Sequence, residues 1–254
     1  MEEKILKLAE VFKEKTKKEC YKVNVVDGEV GILDDKLGGK PYLPVGEEYP
    51  KDTSGEYMPL LLQVNLKNID LKGYPKKGIL EIFTDKYVNW PCEYVIKYFE
   101  EGLEYQTEFP EIDTKNYILN TSVKIELEKT IAHMPIGDYR FNDILCSTAN
   151  ELFGCSYTDY FGLEEFFGDS KWFDSFYAKL ENPGIVIGGY ADFTQTDPRD
   201  YELENKDECL FKLDSNYDYD VFYIGDSGIL FALISQEEIE ECKFEEAVVD
   251  WDCC

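Results

Sequence analysis

The sequence predicts a mainly β protein of the α+β class, with a roll-like, internally duplicated sheet core and peripheral helices. Three observations lead to this prediction. Three short motifs each occur twice, at an almost constant separation along the chain. Many apolar stretches are short and show either period-two alternation or continuous apolar character, as strands do. Helical periodicity is confined to the N-terminus and to one middle segment.

The duplicated motifs consist of a Gly-Gly turn, an apolar strand and a second apolar strand that begins with glycine. The pairs are LGGKPYLP (37–44) with IGGYADFT (187–194), PLLLQVNL (59–66) with ECLFKLDS (208–215), and GILEIF (78–83) with GILFAL (228–233). Their separations are 150, 149 and 150 residues. Self-similarity at a fixed separation is typical of a repeated structural unit. We therefore expect a single domain over residues 1–254, with repeat copies at about 36–85 and 186–235.

The N-terminal segment 2–18 is expected to form an amphipathic helix. Ile5, Leu8 and Phe12 follow the spacing of one helical face. Acidic residues stand at the start of the segment and lysines at its end, which is the arrangement that the helix macrodipole favours. We therefore expect a peripheral helix with one apolar side.

The remaining elements can be assigned in chain order. Strands are expected near residues 21–25, 30–33, 60–66, 79–83, 93–99, 122–132 and 248–251. Three prolines between residues 41 and 50 exclude a helix or a central strand there and predict an extended loop. Helical spacing of apolar residues returns at 141–181 and stops at Asn182-Pro183-Gly184. Ser235 and Glu238 have the spacing of a helix capping box.

The chain is strongly acidic, with a formal net charge of −27 at pH 7. Residues 141–254 contain 27 acidic and 6 basic residues, whereas residues 1–140 have a net charge of only −6. Such a field repels nucleic-acid phosphates and anionic lipid, and it favours cationic partners. We therefore expect neither nucleic acid nor a membrane as a partner, and a basic protein as the leading candidate. The alternative is that the acidity only keeps the protein in solution.

The cysteine and histidine content argues against common catalytic and metal sites. The eight cysteines are scattered, without a C-x-x-C pair of zinc-site spacing. No signal segment and no run of about 18 apolar residues is present, so a cytoplasmic location with mostly free thiols is expected. His133 is the only histidine, and a packed or hydrogen-bonded side chain is the expectation for it. The sequence thus favours a protein without a cofactor or metal, and a non-enzyme over an enzyme.

Several motifs together resemble the YwqG-like proteins, a family of uncharacterised bacterial proteins grouped as a domain of unknown function. They are LGGKPYLP, PLLLQVNL, PKKGILEIF, IGGYADFTQTDPR, the GDSGIL turn and the WDCC ending, within residues 37–254. Ala191 departs from the proline usual in members, and Phe211-Lys212 replaces Leu-Gln. The resemblance implies a mainly β, roll-like fold with peripheral helices. It brings no established reaction, substrate or catalytic residue.

The loop after the second Gly-Gly pair contains the main candidate site. Asp192, Gln195, Asp197 and Arg199 fall in YADFTQTDPRD, where the first copy has an unrelated loop sequence. Loops on a rigid sheet often carry function. The alternative is that Asp197-Pro198 is a turn and Arg199 pairs with a neighbouring carboxylate.

Three further features complete the set of candidates. Asp226 is the carboxylate that we expect to act with this loop if the protein is a carboxylate-based enzyme. Trp90 is a candidate stacking platform for a ligand, with a core position as the alternative. The alternating acids from Asp214 to Asp220 resemble the start of a calcium loop, but glycine and glutamate are missing at the required positions. We expect a polar connection between strands there, and the alternative is a calcium site that uses other ligands, for example Asp226.

Two main functions compete on this evidence. The first is a non-catalytic binding protein for a basic partner, for example an immunity-like protein that neutralises a toxin. The second is a small-ligand-binding protein or a carboxylate-based enzyme with a pocket between the repeat copies. The charge distribution favours the first, and the polar loop at 192–199 favours the second.

Overall fold

The structure is a computed structural model that describes residues 1–88, 91–112, 114, 117–119, 121–215 and 224–253. Its described part contains one ten-stranded sheet and five α-helices. The strands are β1 (Lys18–Val26), β2 (Lys36–Leu37), β3 (Leu60–Asn65), β4 (Ile79–Thr84), β5 (Tyr94–Phe99), β6 (Val123–Ala132), β7 (Ile185–Gly188), β8 (Glu208–Asp214), β9 (Ile229–Ile234) and β10 (Val248–Asp252). The helices are α1 (Glu2–Thr16), α2 (Phe141–Phe153), α3 (Leu163–Phe167), α4 (Trp172–Tyr177) and α5 (Gln236–Glu240).

The sheet has the order β10-β9-β8-β7-β1-β6-β2-β3-β4-β5, and all neighbouring strands are antiparallel. The long strands β1 and β6 form its centre, with Lys18 opposite Ala132 and Val26 opposite Lys124. The sheet curls into a nearly closed barrel. Near its edge strands, the Tyr98 and Phe244 rings lie 5.2 Å apart. The prediction of a mainly β fold with peripheral helices is thereby confirmed.

The barrel interior holds the largest apolar cluster, to which every strand contributes. All six residues of β3, β4 and β9 are buried, because loops or other chain segments cover the outer face of these strands as well. Burial on both faces explains why these strands are apolar at nearly every position instead of alternating. The strands expected near 60–66 and 79–83 are present as β3 and β4.

A second cluster lies outside the barrel, where helices cover the central strands. Ile5, Leu8 and Phe12 of α1 pack with α2 and α4, and with Cys20 and Val186 of the sheet. The Phe12 ring makes edge contacts with Phe141 at 5.3 Å and Phe176 at 5.4 Å. The helical face predicted at the N-terminus is therefore the buried one. No described helix combines the length and the apolar composition that crossing a lipid bilayer requires.

Most expected element boundaries hold within two residues, and one expected strand is wrong. Residues 30–33 form a turn, where Asp34 Oδ2 accepts a hydrogen bond from the Gly31 N–H at 2.8 Å. The short apolar run suggested a strand, but the aspartate side chain gives the backbone a local partner instead of a sheet neighbour. The capping box at Ser235 and Glu238 is present, with both reciprocal hydrogen bonds.

The two predicted repeat copies occupy corresponding places in the sheet. Strands β2-β3-β4-β5 run outward from one side of the central pair, and β7-β8-β9-β10 run outward from the other. Each copy has a register shift near the start of its second strand, between Leu60 and Leu62 and between Cys209 and Phe211. These correspondences are the ones that a duplication predicts; common ancestry of the copies stays a prediction.

The two Gly-Gly pairs share one backbone conformation and one close contact. All four glycines have positive φ, between +71° and +82°. A Cβ atom on Gly39 would lie 2.8 Å from Ser122 Cβ, and one on Gly189 would lie 2.9 Å from Cys20 Cβ. Only glycine adopts this conformation without strain and also allows such close approach. The pairs are therefore required by the turn that leads each chain copy out of the sheet.

We expect Gly189→Ala to lower the free energy of unfolding by about 2–3 kcal/mol, from left-handed strain plus overpacking. Gly154→Ala is the matched control, because Gly154 has φ +66° and nothing within 4 Å of an added Cβ. The control should lose only about 1 kcal/mol, from strain alone. Urea denaturation measures both values. Equal losses in the two variants would contradict the packing argument at Gly189.

Candidate functional site

A buried ion-pair cluster fixes the loop that follows the second Gly-Gly pair. Arg199 Nη2 lies 2.6 Å from Asp197 Oδ2 and 2.9 Å from Asp138 Oδ2, and all three side chains are at least 96% buried. Asp197 Oδ1 also accepts a hydrogen bond from the Arg199 N–H at 2.9 Å, which caps the 3-10 helix Pro198–Asp200. The Tyr139 N–H donates to Asp197 Oδ2 at 3.2 Å. Asp197 and Arg199 therefore hold the loop against the segment after β6.

Arg140 extends this cluster to the surface. Its Nε and Nη2 atoms donate to the two oxygens of Asp138, at 2.8 and 2.6 Å. Burial alone would raise the pKa of Asp138, but the hydrogen bonds from Arg140 and the charge of Arg199 hold this pKa below its ordinary value. Two arginines and two aspartates thus compensate one another. The arrangement fits a structural clamp, which was the alternative considered for Arg199 in the sequence.

The other two candidates in the loop face different neighbours. Asp192 is partly buried; burial is the main cause that raises its pKa, and the charge of Lys212 opposes the shift. Its Oδ1 atom accepts a hydrogen bond from the Phe193 N–H at 2.9 Å. Gln195 is exposed, and its Nε2 donates to the Cys253 carbonyl at 2.6 Å. Gln195 therefore joins the loop to the C-terminal segment.

The remaining candidates lie elsewhere or outside the described residues. Asp226 is exposed in the turn between β8 and β9. Trp90 lies outside the described residues, and so does residue range 216–220 of the calcium-like segment. In the described part of the chain, no three His, Cys, Asp or Glu side chains meet in a way that can hold a metal ion. His133 is buried, and its backbone N–H donates a hydrogen bond to Asn182 Oδ1 at 2.7 Å.

A second buried polar cluster lies on the outer face of the first copy. Glu81 and Gln63 are both fully buried, and each accepts a hydrogen bond from the Tyr42 N–H at 2.7 Å. Lys36 is 1% exposed, and its Nζ donates to the carbonyls of Gly31 and Ile32, both at 2.9 Å. Burial raises the pKa of Glu81 to about 8 and lowers that of Lys36 to about 8, while each charge partly opposes the shift of the other. The cluster joins the turn before β2 to the sheet.

The exposed side chains of the second half are mainly carboxylates. We call the following set the acidic surface: Asp143, Glu151, Asp159, Glu164, Glu165, Asp174, Asp200, Glu202, Glu204, Asp207, Glu237, Glu240, Glu241, Glu245 and Glu246. Among the described residues beyond 140, the exposed basic side chains are Lys171, Lys179 and Lys243. Lys243 already pairs with Glu241 at 2.6 Å. The charge imbalance of the sequence is therefore displayed at the surface.

An exposed aromatic ring stands within this surface. The Phe161 side chain is 70% exposed, and its ring stacks on Tyr160 with 4.3 Å between centroids. It lines an open depression of about 610 Å³ together with Glu164, Glu165 and Asp169. Sequence reasoning missed Phe161, because the helical spacing of apolar residues at 141–181 does not distinguish an exposed aromatic ring from a buried one. Its position in Tyr160–Gly162, a 3-10 turn before α3, turns the ring outward.

Comparison with known proteins gives a family without an activity. Residues 35–253 match the model of a family described as "Domain of unknown function (DUF1963)". No curated protein matches the chain. The matched range includes β2 to β10 and both Gly-Gly pairs, and therefore both repeat copies.

Proposed function

The chain belongs to the DUF1963 family, and we propose that it is a non-catalytic binding protein for a basic protein partner. The observation that carries this proposal is the acidic surface, on which exposed carboxylates greatly outnumber exposed lysines among the described residues. Complementary charge steers a cationic partner and raises its association rate. Partners of this kind include a basic toxin, for which the protein would act as an immunity-like neutraliser.

Phe161 supports the proposal because it adds an exposed apolar ring to the acidic surface. Rim charges mainly change association rate and salt dependence, whereas buried aromatic anchors dominate the lifetime of a complex. Phe161 is 70% exposed in the depression that Glu164 and Glu165 also line, and its ring offers such an anchor. A partner with an apolar pocket rimmed by lysine or arginine fits this combination.

We infer a YwqG-like member of the family from the motifs between Leu37 and Cys254, and a bacterial origin follows from that resemblance. The cytoplasmic location rests on the scattered cysteines; those described are all free of disulfide bonds. The second expected function, a small-ligand protein or a carboxylate-based enzyme between the copies, stays a prediction. Its residues Asp197 and Arg199 are engaged in the buried clamp.

A labelled lysine-rich peptide tests the acidic surface, with fluorescence anisotropy as the measurement. We expect Glu164→Gln/Glu165→Gln to weaken binding about three- to tenfold at low salt, because two exposed charges are lost from the depression. Glu100→Gln/Glu101→Gln removes two exposed charges from the first half and is the matched control. Raising the salt should weaken binding of the wild type.

Phe161→Ser separates a docking surface from a general acidic field. It should leave salt dependence unchanged and increase the dissociation rate of a basic protein that uses the ring. Equal losses for the two glutamine pairs, or peptide binding that ignores salt, would refute a docking surface in the second half.

A further inference from the structure

A cavity of about 440 Å³ lies beside the first Gly-Gly pair. We call it the Tyr49 cavity; its apolar walls are formed mainly by Tyr49, Phe109, Tyr117, Pro41, Pro59 and Pro110. Its volume falls in the range of pockets for small molecules, roughly 300–1,000 Å³. The cavity lies between the first copy and residues that follow β5, such as Phe109 and Tyr117, whereas the sequence led us to expect a pocket between the copies. It is distinct from the acidic surface and does not depend on a basic partner.

The walls favour a flat, apolar ligand. The Tyr49 ring lies 5.8 Å from the Phe83 ring and 6.4 Å from the Phe109 ring, both in edge geometry. Tyr117 is held by a hydrogen bond of 2.8 Å between its hydroxyl and Thr84 Oγ1. Aromatic rings and prolines in the walls present a rigid surface with little rotamer freedom to lose. An aromatic ring of the ligand would gain contact on both faces.

The hydroxyl of Tyr49 lacks a hydrogen-bond partner. It is buried, and no acceptor or donor among the described residues is in reach. Burial raises the pKa of Tyr49, so the hydroxyl is neutral and available as a donor. An unpaired buried hydroxyl costs about 1–3 kcal/mol. This oxygen has less than 1 Å² of accessible surface, so a ligand oxygen recovers that cost only after a small movement of the Tyr49 ring toward the cavity. The rings of Tyr57, Phe83 and Phe109 make edge contacts with the Tyr49 ring.

Lys40 gives the cavity a positive charge. Its side chain is exposed, and its Nζ lies 5.9 Å from the centre of the Phe109 ring. Among the described residues no carboxylate lies within ion-pair distance of it. Glu111 also lines the cavity and is exposed. A ligand anion near Lys40 would therefore meet one ammonium group without an existing partner.

In the second copy, the side chains at the positions that correspond to Lys40 and Tyr49 are paired with other groups of the protein. The cavity beside Gly188-Gly189 is smaller, about 280 Å³, and the ion pair between Lys18 and Glu208 at 2.7 Å lies in its wall. At the position of Lys40 stands Tyr190, whose hydroxyl donates to the Thr16 carbonyl at 2.8 Å. At the position of Tyr49 stands Arg199, which is paired with two aspartates.

The first copy differs from the second in the pairing of these two positions. The second copy satisfies both positions internally, whereas the first leaves an ammonium group and a buried hydroxyl around a larger apolar space. We propose that the Tyr49 cavity binds a small aromatic carboxylate. Its ring lies between the aromatic and proline walls, its carboxylate faces Lys40, and an oxygen accepts the hydrogen bond of the Tyr49 hydroxyl.

Calorimetric titration of the full chain with naphthalene-2-carboxylate tests the proposal. We expect saturable binding, about tenfold weaker to Tyr49→Phe because one hydrogen bond is lost. Lys40→Gln should weaken the carboxylate several-fold and leave the neutral naphthalene-2-carboxamide unchanged. Ile112→Trp, which places a large side chain in the cavity wall, should abolish binding.

Two controls keep the test decisive. Lys72→Gln removes an exposed lysine from the smaller cavity of the second copy and should leave affinity unchanged. Hexanoate should bind much more weakly, since it lacks a ring. Absence of binding at low millimolar concentration would overturn the proposal, and so would binding that survives both Tyr49→Phe and Ile112→Trp. Thermal unfolding of each variant shows whether it is folded.

Discussion

Arg199→Ala is expected to lower the free energy of unfolding by about 3–5 kcal/mol. The arginine is 4% exposed and is the only cation within ion-pair distance of Asp197 among the described residues. Its removal leaves the Asp197 carboxylate buried without a compensating charge. Asp138 loses one of its two cations and keeps Arg140. Leaving a single buried charge unpaired costs far more than removing a surface ion pair.

Two variants control this prediction, with urea denaturation as the measurement. Arg140→Ala should cost less, because the Arg140 side chain is 37% exposed and Asp138 keeps Arg199. Arg199→Lys should have an intermediate effect, since it retains the charge but not the planar fork that binds two carboxylates. A loss of less than about 1 kcal/mol for Arg199→Ala would contradict the clamp. It would also restore Arg199 as a candidate for ligand binding.

Glu81→Gln is expected to change the pH dependence of stability between about pH 4.5 and 8. The folded pKa of Glu81 is raised from 4.5 to about 8, chiefly by burial. The stabilisation from its protonated form is therefore complete below pH 4.5 and is lost as the pH rises through 8. The slope for this group approaches about 1.4 kcal/mol per pH unit within the window. Glutamine keeps an acceptor for the Tyr42 N–H and does not titrate.

Lys36 acts in the opposite pH range. Its folded pKa is lowered from 10.5 to about 8, again chiefly by burial. Its contribution is present above pH 10.5 and is lost as the pH falls through 8. The pair therefore makes stability lowest near pH 8, where the glutamate is half ionised and the lysine half protonated.

Unfolding free energies from urea titrations between pH 5 and 9 measure this effect. The difference between Glu81→Gln and the wild type should grow with pH through the window. Glu108→Gln, at an exposed position, should follow the wild type at every pH. Parallel pH profiles for Glu81→Gln and the wild type would contradict the assignment. The slope decides, because a fixed cost for the buried amide changes only the offset.

The fold could be predicted largely because local patterns and tertiary burial agree. The spacing of Ile5, Leu8 and Phe12 indicates a one-sided helix, and the helix packs through those residues. The apolar runs of β3 and β4 indicate strands covered on both faces, as observed. The failure at residues 30–33 has a local cause, since Asp34 turns the backbone and none of the described strands pairs with this segment. Such competition is not visible in apolar content alone.

The candidate site could be predicted less well, because its properties depend on distant residues. Asp197 and Arg199 lie two residues apart in sequence, but Asp138, which completes their cluster, lies 61 residues from Arg199. The same holds for Tyr49. Its hydroxyl lacks a partner because of where Phe83 and Phe109 place it, and no local pattern reveals that. Phe161 is exposed because it lies in a short turn before α3, whereas an aromatic side chain in an apolar segment is expected to be buried.

The order of strands in the sheet also determines how the chain folds as a whole. If the sheet is divided into the halves β1–β5 and β6–β10, β1 pairs with β7 of the other half, at Cys20 and Gly188, and β6 pairs with β2, at Val123 and Leu37. Each half thus gives its first strand to the opposite half, and the two are interlocked through the central β1–β6 pair. Neither half has a complete hydrogen-bonded sheet until the other is present. Contacts that join residues so far apart favour slow folding and make the two halves one cooperative unit.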